Sequence, residues 1–171
     1  IIFRSLFANN GLVNYVLVNI GILDKPYNFL TQPFAAKMVI LLGLLWRWTG
    51  YNMVFFLSGL QNIEYSVYEA AKIDGASAIQ TFFKITVPLL KPTILLTAIM
   101  STNGTLQLFD ESINLTDGGP ANASISMSHY IYNLCFKYVP NFGYAAAMSF
   151  FILLLVAVLA FIQMRVGDKR D

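Results

Sequence analysis

Long apolar runs separated by short polar segments are the main pattern of this chain. Three runs are close to the roughly 20 residues that an α-helix needs to cross the apolar core of a membrane. They cover residues 35–60, 92–110 and 144–164. Residues 1–8 have the composition of the end of a further span, and no Met precedes Ile1. The pattern therefore predicts an all-α, polytopic helical membrane protein that is truncated at its N-terminus.

The segments that separate these runs contain turn residues and more polar side chains. Residues 9–34 include an apolar stretch, Leu12 to Ile22, that is too short to cross a membrane. We expect a helix lying at the membrane surface there. Residues 61–91 and 111–143 connect the spans, and residues 165–171 form a short tail.

Basic residues flanking the spans predict their orientation, because cytoplasmic segments are enriched in Lys and Arg. Segments 61–91 and 165–171 together carry Lys72, Lys84, Lys91, Arg165, Lys169 and Arg170. Segment 111–143 carries Lys137 alone. Two spans separate the two basic segments, so both lie on the same side of the membrane. We expect that side to be the cytoplasm, with residues 9–34 and 111–143 outside.

Composition agrees with a membrane setting and excludes several function classes. Apolar residues make up 57% of the chain and charged residues 12%, which is about half the usual charged share of soluble domains. A net charge of +2 gives no reason to expect a nucleic-acid partner. Neither the single cysteine, Cys135, nor the single histidine, His129, predicts a metal site. We therefore expect membrane lipid around the chain and no metal or cofactor bound to it.

No arrangement of residues typical of catalysis is present. Asp110 and Glu111 are adjacent and so point to different helix faces, which prevents them from acting as a general acid–base pair. Gly118-Gly119-Pro120 lacks the spacing of a phosphate-binding loop. Arg47 lies within the first span, where an unpaired charge is costly, and we expect it to snorkel to the outer interface. The sequence therefore predicts a protein that is not an enzyme.

Small, polar and aromatic residues define one face on each of two spans. In the first span these are Trp46, Thr49, Gly50 and Met53. In the second they are Ser101, Gly104, Thr105 and Leu108, which recur at the spacing of one helix face. Such faces suit a sugar, whose rings stack on aromatic groups and whose hydroxyls need hydrogen bonds. Close packing of helices through small residues is the alternative.

The polar segment 61–91 favours a helix followed by a bend. Ser66 and Glu69 have the spacing of a capping box, and Ala70 and Ala71 favour helix. Gly75 permits a sharp turn after it. From these residues alone, an amphipathic helix at the membrane interface explains the segment equally well.

The same segment resembles the EAA loop of bacterial ABC importer permeases. That pattern is Glu-Ala-Ala, three residues, Gly, nine residues, Ile, one residue and Leu-Pro. Here it is Glu69-Ala70-Ala71, Gly75, Ile85 and Pro88, with Val87 in place of Leu. Glu64 departs from the Pro that the family commonly has after Ile63. Runs at residues 68–77, 82–90, 109–110, 115–120 and 142–147 are similar to the sugar-type, maltose and oligosaccharide branch of the family.

This resemblance implies the C-terminal part of a type I ABC importer transmembrane domain in the bacterial cytoplasmic membrane. Residues 69–75 would form a coupling helix on a partner ATPase, and both helix faces would line the sugar pathway. The coupling residues would be Glu69, Ala70, Ala71, Asp74, Gly75, Ile85 and Pro88. ATP and Mg would be bound by two ATPase subunits, beside a second homologous permease and an extracytoplasmic sugar-binding protein.

Other transport functions stay open at this point. An importer of glycerol 3-phosphate, amino acids or another polar solute would share the same pattern. An ion-coupled secondary transporter would need carboxylates within its spans, and the three complete spans have none away from their ends.

Overall fold

The computed structural model describes residues 2–167, and all regular secondary structure among them is helical. Lys169 and Arg170, which contributed to the predicted orientation, lie outside the described residues. The α-helices are α1 (Ile2–Leu6), α2 (Leu12–Asn19), α3 (Pro33–Gln61), α4 (Tyr65–Ile73), α5 (Ala78–Thr81), α6 (Val87–Leu89), α7 (Lys91–Leu106), α8 (Met127–Tyr132) and α9 (Phe142–Gly167). Three π-helical segments cover Phe82–Thr86, Ser112–Thr116 and Asn133–Lys137, and a 3₁₀ turn covers Pro120–Asn122.

Two of the described helices, α3 and α9, are long and apolar enough to cross a membrane. A third span arises if Ala78–Leu89 and Lys91–Leu106 are one span with a 65° bend between its halves. The predicted all-α membrane fold is therefore confirmed.

The second span differs from the run of residues 92–110 expected from the sequence. Helix α7 starts at Lys91 and ends at Leu106, and Leu108 and Phe109 lie outside any helix. Its last turns contain Ser, Thr, Asn and Gly, which have low helix propensity. Gly loses more backbone entropy than other residues when it becomes helical, and the side chains of Ser, Thr and Asn compete for backbone hydrogen bonds. The apolar residues beyond them therefore do not extend the helix.

The described residues form two compact units. One contains the chain up to Arg47 together with Gly104–Val156, and the other contains Trp48–Asn103 together with the chain from Ala157. In the first unit, α3 buries one face, made of Ala36, Val39, Ile40, Gly43 and Leu44. Gly43 lies beside Leu115, since a Cβ there would be in ordinary van der Waals contact with the Leu115 Cδ1 atom at 3.8 Å.

A buried asparagine organises the segment between α1 and α3 in the first unit. The Asn14 side chain donates to the carbonyl oxygens of Ala8 and Tyr27, at 3.1 and 2.9 Å. Its Oδ1 accepts from the Tyr27 backbone N–H at 2.8 Å. These bonds satisfy a polar group that would otherwise be costly to bury, and they hold the turn at residues 20–27 against α2.

Residues 111–143 fold around a buried polar cluster in the same unit, formed by Ser112, Ser124 and His129. The Ser112 Oγ donates to the Ser124 carbonyl at 2.7 Å and lies 2.8 Å from the His129 Nδ1. His129 is fully buried, and Ser126 caps the helix that carries it by accepting from the His129 N–H. The cluster fixes the start of α8 against the π-helical segment Ser112–Thr116.

Burial lowers the pKa of His129 below its ordinary value of 6.5, and the Lys137 charge adds to this effect. The folded state therefore binds fewer protons than the unfolded state below pH 6.5, so stability falls as the pH decreases through that value. We expect the thermal midpoint of the detergent-purified protein to drop between pH 7 and 5, and His129→Gln to flatten this dependence. Equal slopes in both proteins would contradict the assignment.

Candidate functional site

The predicted coupling helix is α4, but it begins differently from the sequence prediction. The N-cap residue is Glu64, in an extended conformation, and the Ser66 hydroxyl donates to the Glu64 carboxylate at 3.3 Å. The predicted Ser66–Glu69 capping box is therefore wrong. Because the helix starts at Tyr65, Glu69 lies in its second turn, beyond reach of the N-terminal N–H groups.

A glycine bend terminates α4. The Ala76 N–H donates to the Ala71 carbonyl at 3.0 Å, and the Gly75 N–H donates to the Lys72 carbonyl at 3.1 Å. This bond pair is a Schellman motif, which needs a left-handed residue at the position of Gly75. Gly75 has a φ of +75°, which suits a residue without a Cβ.

Apolar and charged side chains are exposed together around the Gly75 bend, among the described residues. Ile73 is 86% exposed and Ile79 is 72% exposed, and Glu69, Ala70 and Asp74 are exposed beside them. Ala71 points the other way and is buried. Ile73 precedes the bend and Ile79 follows it, so both are accessible to a partner protein on this part of the segment.

The chain returns toward α7 through a short, irregular helical region. Ser77 and Gln80 form a reciprocal capping box, with bonds of 3.3 and 2.8 Å. The π-helical segment Phe82–Thr86 follows, and it contains the half-buried Ile85. Pro88 stands in α6 directly after it. Since Pro lacks an N–H, an α-helix through residue 88 would lose one backbone hydrogen bond. The wider π-helical turn before Pro88 is compatible with that missing bond.

A hydrogen bond joins α4 to this return segment. The Tyr68 hydroxyl on α4 lies 3.2 Å from the Oγ1 of Thr86, which is buried at the end of the π-helical segment. The bond connects residues on either side of the Gly75 bend. It therefore connects the part of segment 61–91 before Gly75 with the part after it.

The candidate pathway residues of the second unit are Thr49, Gly50, Met53 and Ser101. The first three lie exposed on α3, and a Cβ at Gly50 would meet no atom within 4 Å. Ser101 on α7 donates to the Asn52 Oδ1 at 3.2 Å, which joins the two helices at this level. Thr102 accepts from the Gln163 side chain at 2.8 Å. Part of the polar half of α7 thus serves helix packing.

The candidate pathway residues of the first unit are Trp46, Gly104, Thr105 and Leu108. Gly104 and Leu108 are half-buried and Thr105 is exposed. Trp46 is 72% exposed, and its ring meets that of Phe3 at 61° with centroids 5.8 Å apart.

Arg47 has a partner that the sequence did not reveal. Its guanidinium lies 2.8 Å from the Glu111 carboxylate, and the two side chains are 33% and 13% exposed. An ion pair within the first unit therefore neutralises Arg47, whereas its snorkelling to the outer interface stays a prediction. A pattern along the chain could not show this pair, because its members are far apart in sequence.

The Arg47–Glu111 pair lies in the wall of a groove of about 240 Å³. The groove is lined by Ile2, Phe3, Gly43, Trp46, Arg47, Asp110, Glu111, Asn114 and Leu115. Across residues 2–167, no three His, Cys, Asp or Glu side chains gather in a way that would hold a metal ion. The chemistry that these residues offer is hydrogen bonding, ring stacking and charge.

The chain is similar to known transport-system proteins. A family model described as "Binding-protein-dependent transport system inner membrane component" matches residues 3–170. The lactose transport system permease protein LacF of Rhizobium radiobacter is 53% identical over 99% of this chain and 58% of its own length. The trehalose/maltose transport system permease protein MalF of Thermococcus litoralis is 36% identical over 94% of this chain and 53% of its own length.

A solved structure shares the fold. The crystal structure of a bacterial ABC transporter involved in the import of the acidic polysaccharide alginate matches with a TM-score of 0.83 at 24% identity. The match covers 97% of this chain and 58% of the matched one. The chain thus spans little more than half the length of the relatives described here.

Proposed function

We propose that the chain, which belongs to the binding-protein-dependent transport system inner membrane component family, is part of the permease of an ATP-driven sugar importer. The observation that carries this proposal is the bent segment 61–91 between α3 and α7. Its exposed side chains make this segment a surface on which another protein can act.

Segment 61–91 couples the permease to an ATPase in this proposal. Helix α4 presents Glu69, Ala70 and Asp74 at its surface, and Ile73 and Ile79 supply the apolar contact area. Small side chains permit close approach of the partner, and Glu69 pairs with a basic residue across the contact. ATP and Mg belong to the two partner ATPase subunits, so this chain carries no step of the hydrolysis.

The remaining partners follow from the same reasoning. One chain offers one coupling segment and half of a pathway, so a second homologous permease completes the channel. The permease lies in the bacterial cytoplasmic membrane. An extracytoplasmic binding protein delivers the sugar to its outer side. Closure of the ATPases moves both coupling segments, and rigid-body rocking exposes the pathway to each side in turn.

A sugar is the substrate class that the relatives and the residues favour together. The relatives named above carry lactose and trehalose or maltose in their names. Trp46 offers an exposed ring, and Thr49, Ser101 and Thr105 offer hydroxyl groups. Rings and hydroxyls are the groups that pair with the two kinds of surface on a sugar.

Copurification tests the partner assignment. We expect the affinity-tagged subunit, solubilised in mild detergent from its native membrane, to retain an ATPase and a second permease. Ile73→Glu combined with Ile79→Glu places charges at two exposed apolar positions and should release the ATPase while the second permease stays bound. Retention of the ATPase by this variant would contradict docking through segment 61–91.

Removal of the Tyr68–Thr86 hydrogen bond is expected to weaken the coupling of ATP hydrolysis to sugar transport. Tyr68→Phe removes one hydrogen bond, worth about 1 kcal/mol, and leaves the ring in place. We expect the number of ATP molecules hydrolysed per sugar transported to rise about twofold to fivefold. Tyr65→Phe on the same helix is the matched control, since Tyr65 is largely exposed. Equal ratios in both variants would show that the bond does not transmit the movement.

A further inference from the structure

A second groove lies between α7 and α9, within the second unit. It has a volume of about 520 Å³ and is lined by Leu95, Phe161, Met164 and Arg165. Among these four side chains, only Arg165 carries a charge and N–H donors. A ligand in this groove therefore meets apolar walls and a single cation.

Two contacts hold α7 against α9 near this groove. The Gln163 side-chain amide donates to the Thr102 Oγ1 at 2.8 Å. Gly167 comes so close to α7 that a Cβ on it would lie 2.6 Å from the Leu95 Cδ1. A larger residue at position 167 would displace Leu95 or push the two helices apart. The groove is therefore a feature of a packed helix pair and not of a loop.

The Arg165 side chain is exposed and oriented by an aromatic ring. Its guanidinium carbon lies 6.0 Å from the centroid of the Phe161 ring, at the outer limit of a cation–π contact. Among residues 2–167, no carboxylate lies within 4.0 Å of this guanidinium. Within this part of the chain, the charge of Arg165 is thus accessible to an anion.

The place of Arg165 along α9 puts the groove at a membrane surface. Helix α9 has 26 residues, which gives a length of about 39 Å at 1.5 Å per residue. The apolar core of a bilayer is about 30 Å thick, so the ends of α9 extend into the headgroup layers. Arg165 lies in the last turn of the helix, whereas Phe161 lies one turn earlier, toward the acyl chains.

We propose that this groove binds one anionic phospholipid. The lipid phosphate pairs with Arg165, and part of an acyl chain packs against Leu95, Phe161 and Met164. Basic pockets between transmembrane helices are typical sites for anionic lipid headgroups. The inference goes beyond the proposed function, because it assigns a specific lipid ligand to the subunit in addition to the surrounding bilayer.

The lining of the groove argues against the soluble ligands that share part of this chemistry. A sugar needs several hydrogen-bonding side chains, and Leu95, Phe161 and Met164 offer none. A free phosphate ion would contact Arg165 alone and would leave the apolar walls in water, which is unfavourable. A phospholipid carries the anion and the apolar chain in one molecule.

Native mass spectrometry tests the headgroup contact. The full-length subunit, purified in detergent with the partners it retains, would be titrated with phosphatidylglycerol and with phosphatidylcholine of the same acyl chains. We expect phosphatidylglycerol to bind about fivefold more tightly. Arg165→Gln should abolish this preference, and Arg165→Lys should keep most of it. Lys37→Gln is the matched control, because it also removes one exposed positive charge but Lys37 does not line the groove.

A second pair of variants tests the contact with the acyl chain. Met164→Trp fills the apolar part of the groove, and we expect it to weaken phosphatidylglycerol binding about tenfold, the equivalent of roughly two buried methylene groups. Val166→Trp is the control on the same helix, because Val166 is 68% exposed and does not line the groove. Equal binding by these two variants would contradict a chain seated against Met164.

The remaining outcomes separate the lipid from other occupants. Equal affinity for the two lipids, or an unchanged preference in Arg165→Gln, would overturn the inference. Displacement of phosphatidylglycerol by an excess of inorganic phosphate would assign the groove to a soluble anion instead. Binding that occurs only after other protein chains are stripped from the subunit would show that a protein covers the groove. Retention of phosphatidylglycerol by the intact complex in excess phosphate supports the lipid site.

Discussion

Replacing Gly75 by Trp is expected to reduce sugar uptake at least tenfold while the subunit still inserts and folds. Gly75 holds a φ of +75°, and a Cβ there would meet no atom within 4 Å. A side chain at this position therefore costs about 1–2 kcal/mol of backbone strain but causes no clash within the chain. The indole would stand at the exposed bend after α4, where it would obstruct the proposed contact with an ATPase. Uptake and ATP hydrolysis in reconstituted vesicles measure the effect.

Gly75→Asn is the matched control for this experiment, because Asn tolerates the left-handed conformation better than other residues. It should retain most of the uptake, since it keeps the bend and adds little bulk. Hydrolysis that continues in Gly75→Trp without uptake would show uncoupling of a complex that still assembles. Normal uptake by Gly75→Trp would contradict the proposed role of the bend.

Removing the carboxylate of Glu111 is expected to lower the stability of the folded subunit. Glu111→Ala leaves Arg47, which is two-thirds buried, without the partner that lies 2.8 Å away. We expect a loss of about 1–3 kcal/mol in the free energy of unfolding, less than for a fully buried pair because Arg47 keeps some access to solvent. The thermal midpoint of the purified protein, with unfolding followed by circular dichroism, checks this value.

The neighbouring carboxylate provides the control for Glu111→Ala. Asp110 is exposed, so Asp110→Ala should change stability by less than about 0.5 kcal/mol. The double variant Arg47→Met with Glu111→Leu should recover most of the loss, because well-packed apolar residues often replace an ion pair without cost. A double variant as unstable as Glu111→Ala would show that the ion pair itself is not the cause.

The fold class could be predicted from the sequence because it depends on local periodicity. Apolar runs of membrane-spanning length in the regions of α3 and α9 predict helices without knowledge of any contact. The family was likewise identified from the spacing between Glu69 and Pro88, which is a linear pattern. Both the fold class and the family are confirmed.

Features that depend on competition between neighbouring groups were harder to predict. Ser66 has the residue type and spacing of a cap, yet Glu64 takes the N-cap position two residues earlier than that pattern requires. The 65° bend lies at the break between Leu89 and Lys91, with Pro88 before it and Pro92 after it, and neither proline can donate a backbone N–H. Sequence signals for each were visible, but their combined effect on the path of the chain was not.

Features that depend on distant contacts gave no sequence signal at all. Arg47 pairs with Glu111, and His129 pairs with Ser112, because folding brings separate segments together. The pathway faces on α3 and α7 and the roles of the coupling residues stay predictions. They concern contacts with a substrate and with other chains, and the sequence of one chain does not show which of its residues make those contacts.

Transport by purified components in closed vesicles distinguishes an ATP-driven importer from an ion-coupled transporter. The subunit would be reconstituted with the proposed second permease, ATPases and binding protein, and uptake of a labelled sugar would be measured with ATP on the ATPase side. We predict uptake that requires both ATP and the binding protein and that is unaffected by a protonophore. Uptake driven by an ion or proton gradient without ATP would contradict the account and would assign the chain to a secondary transporter.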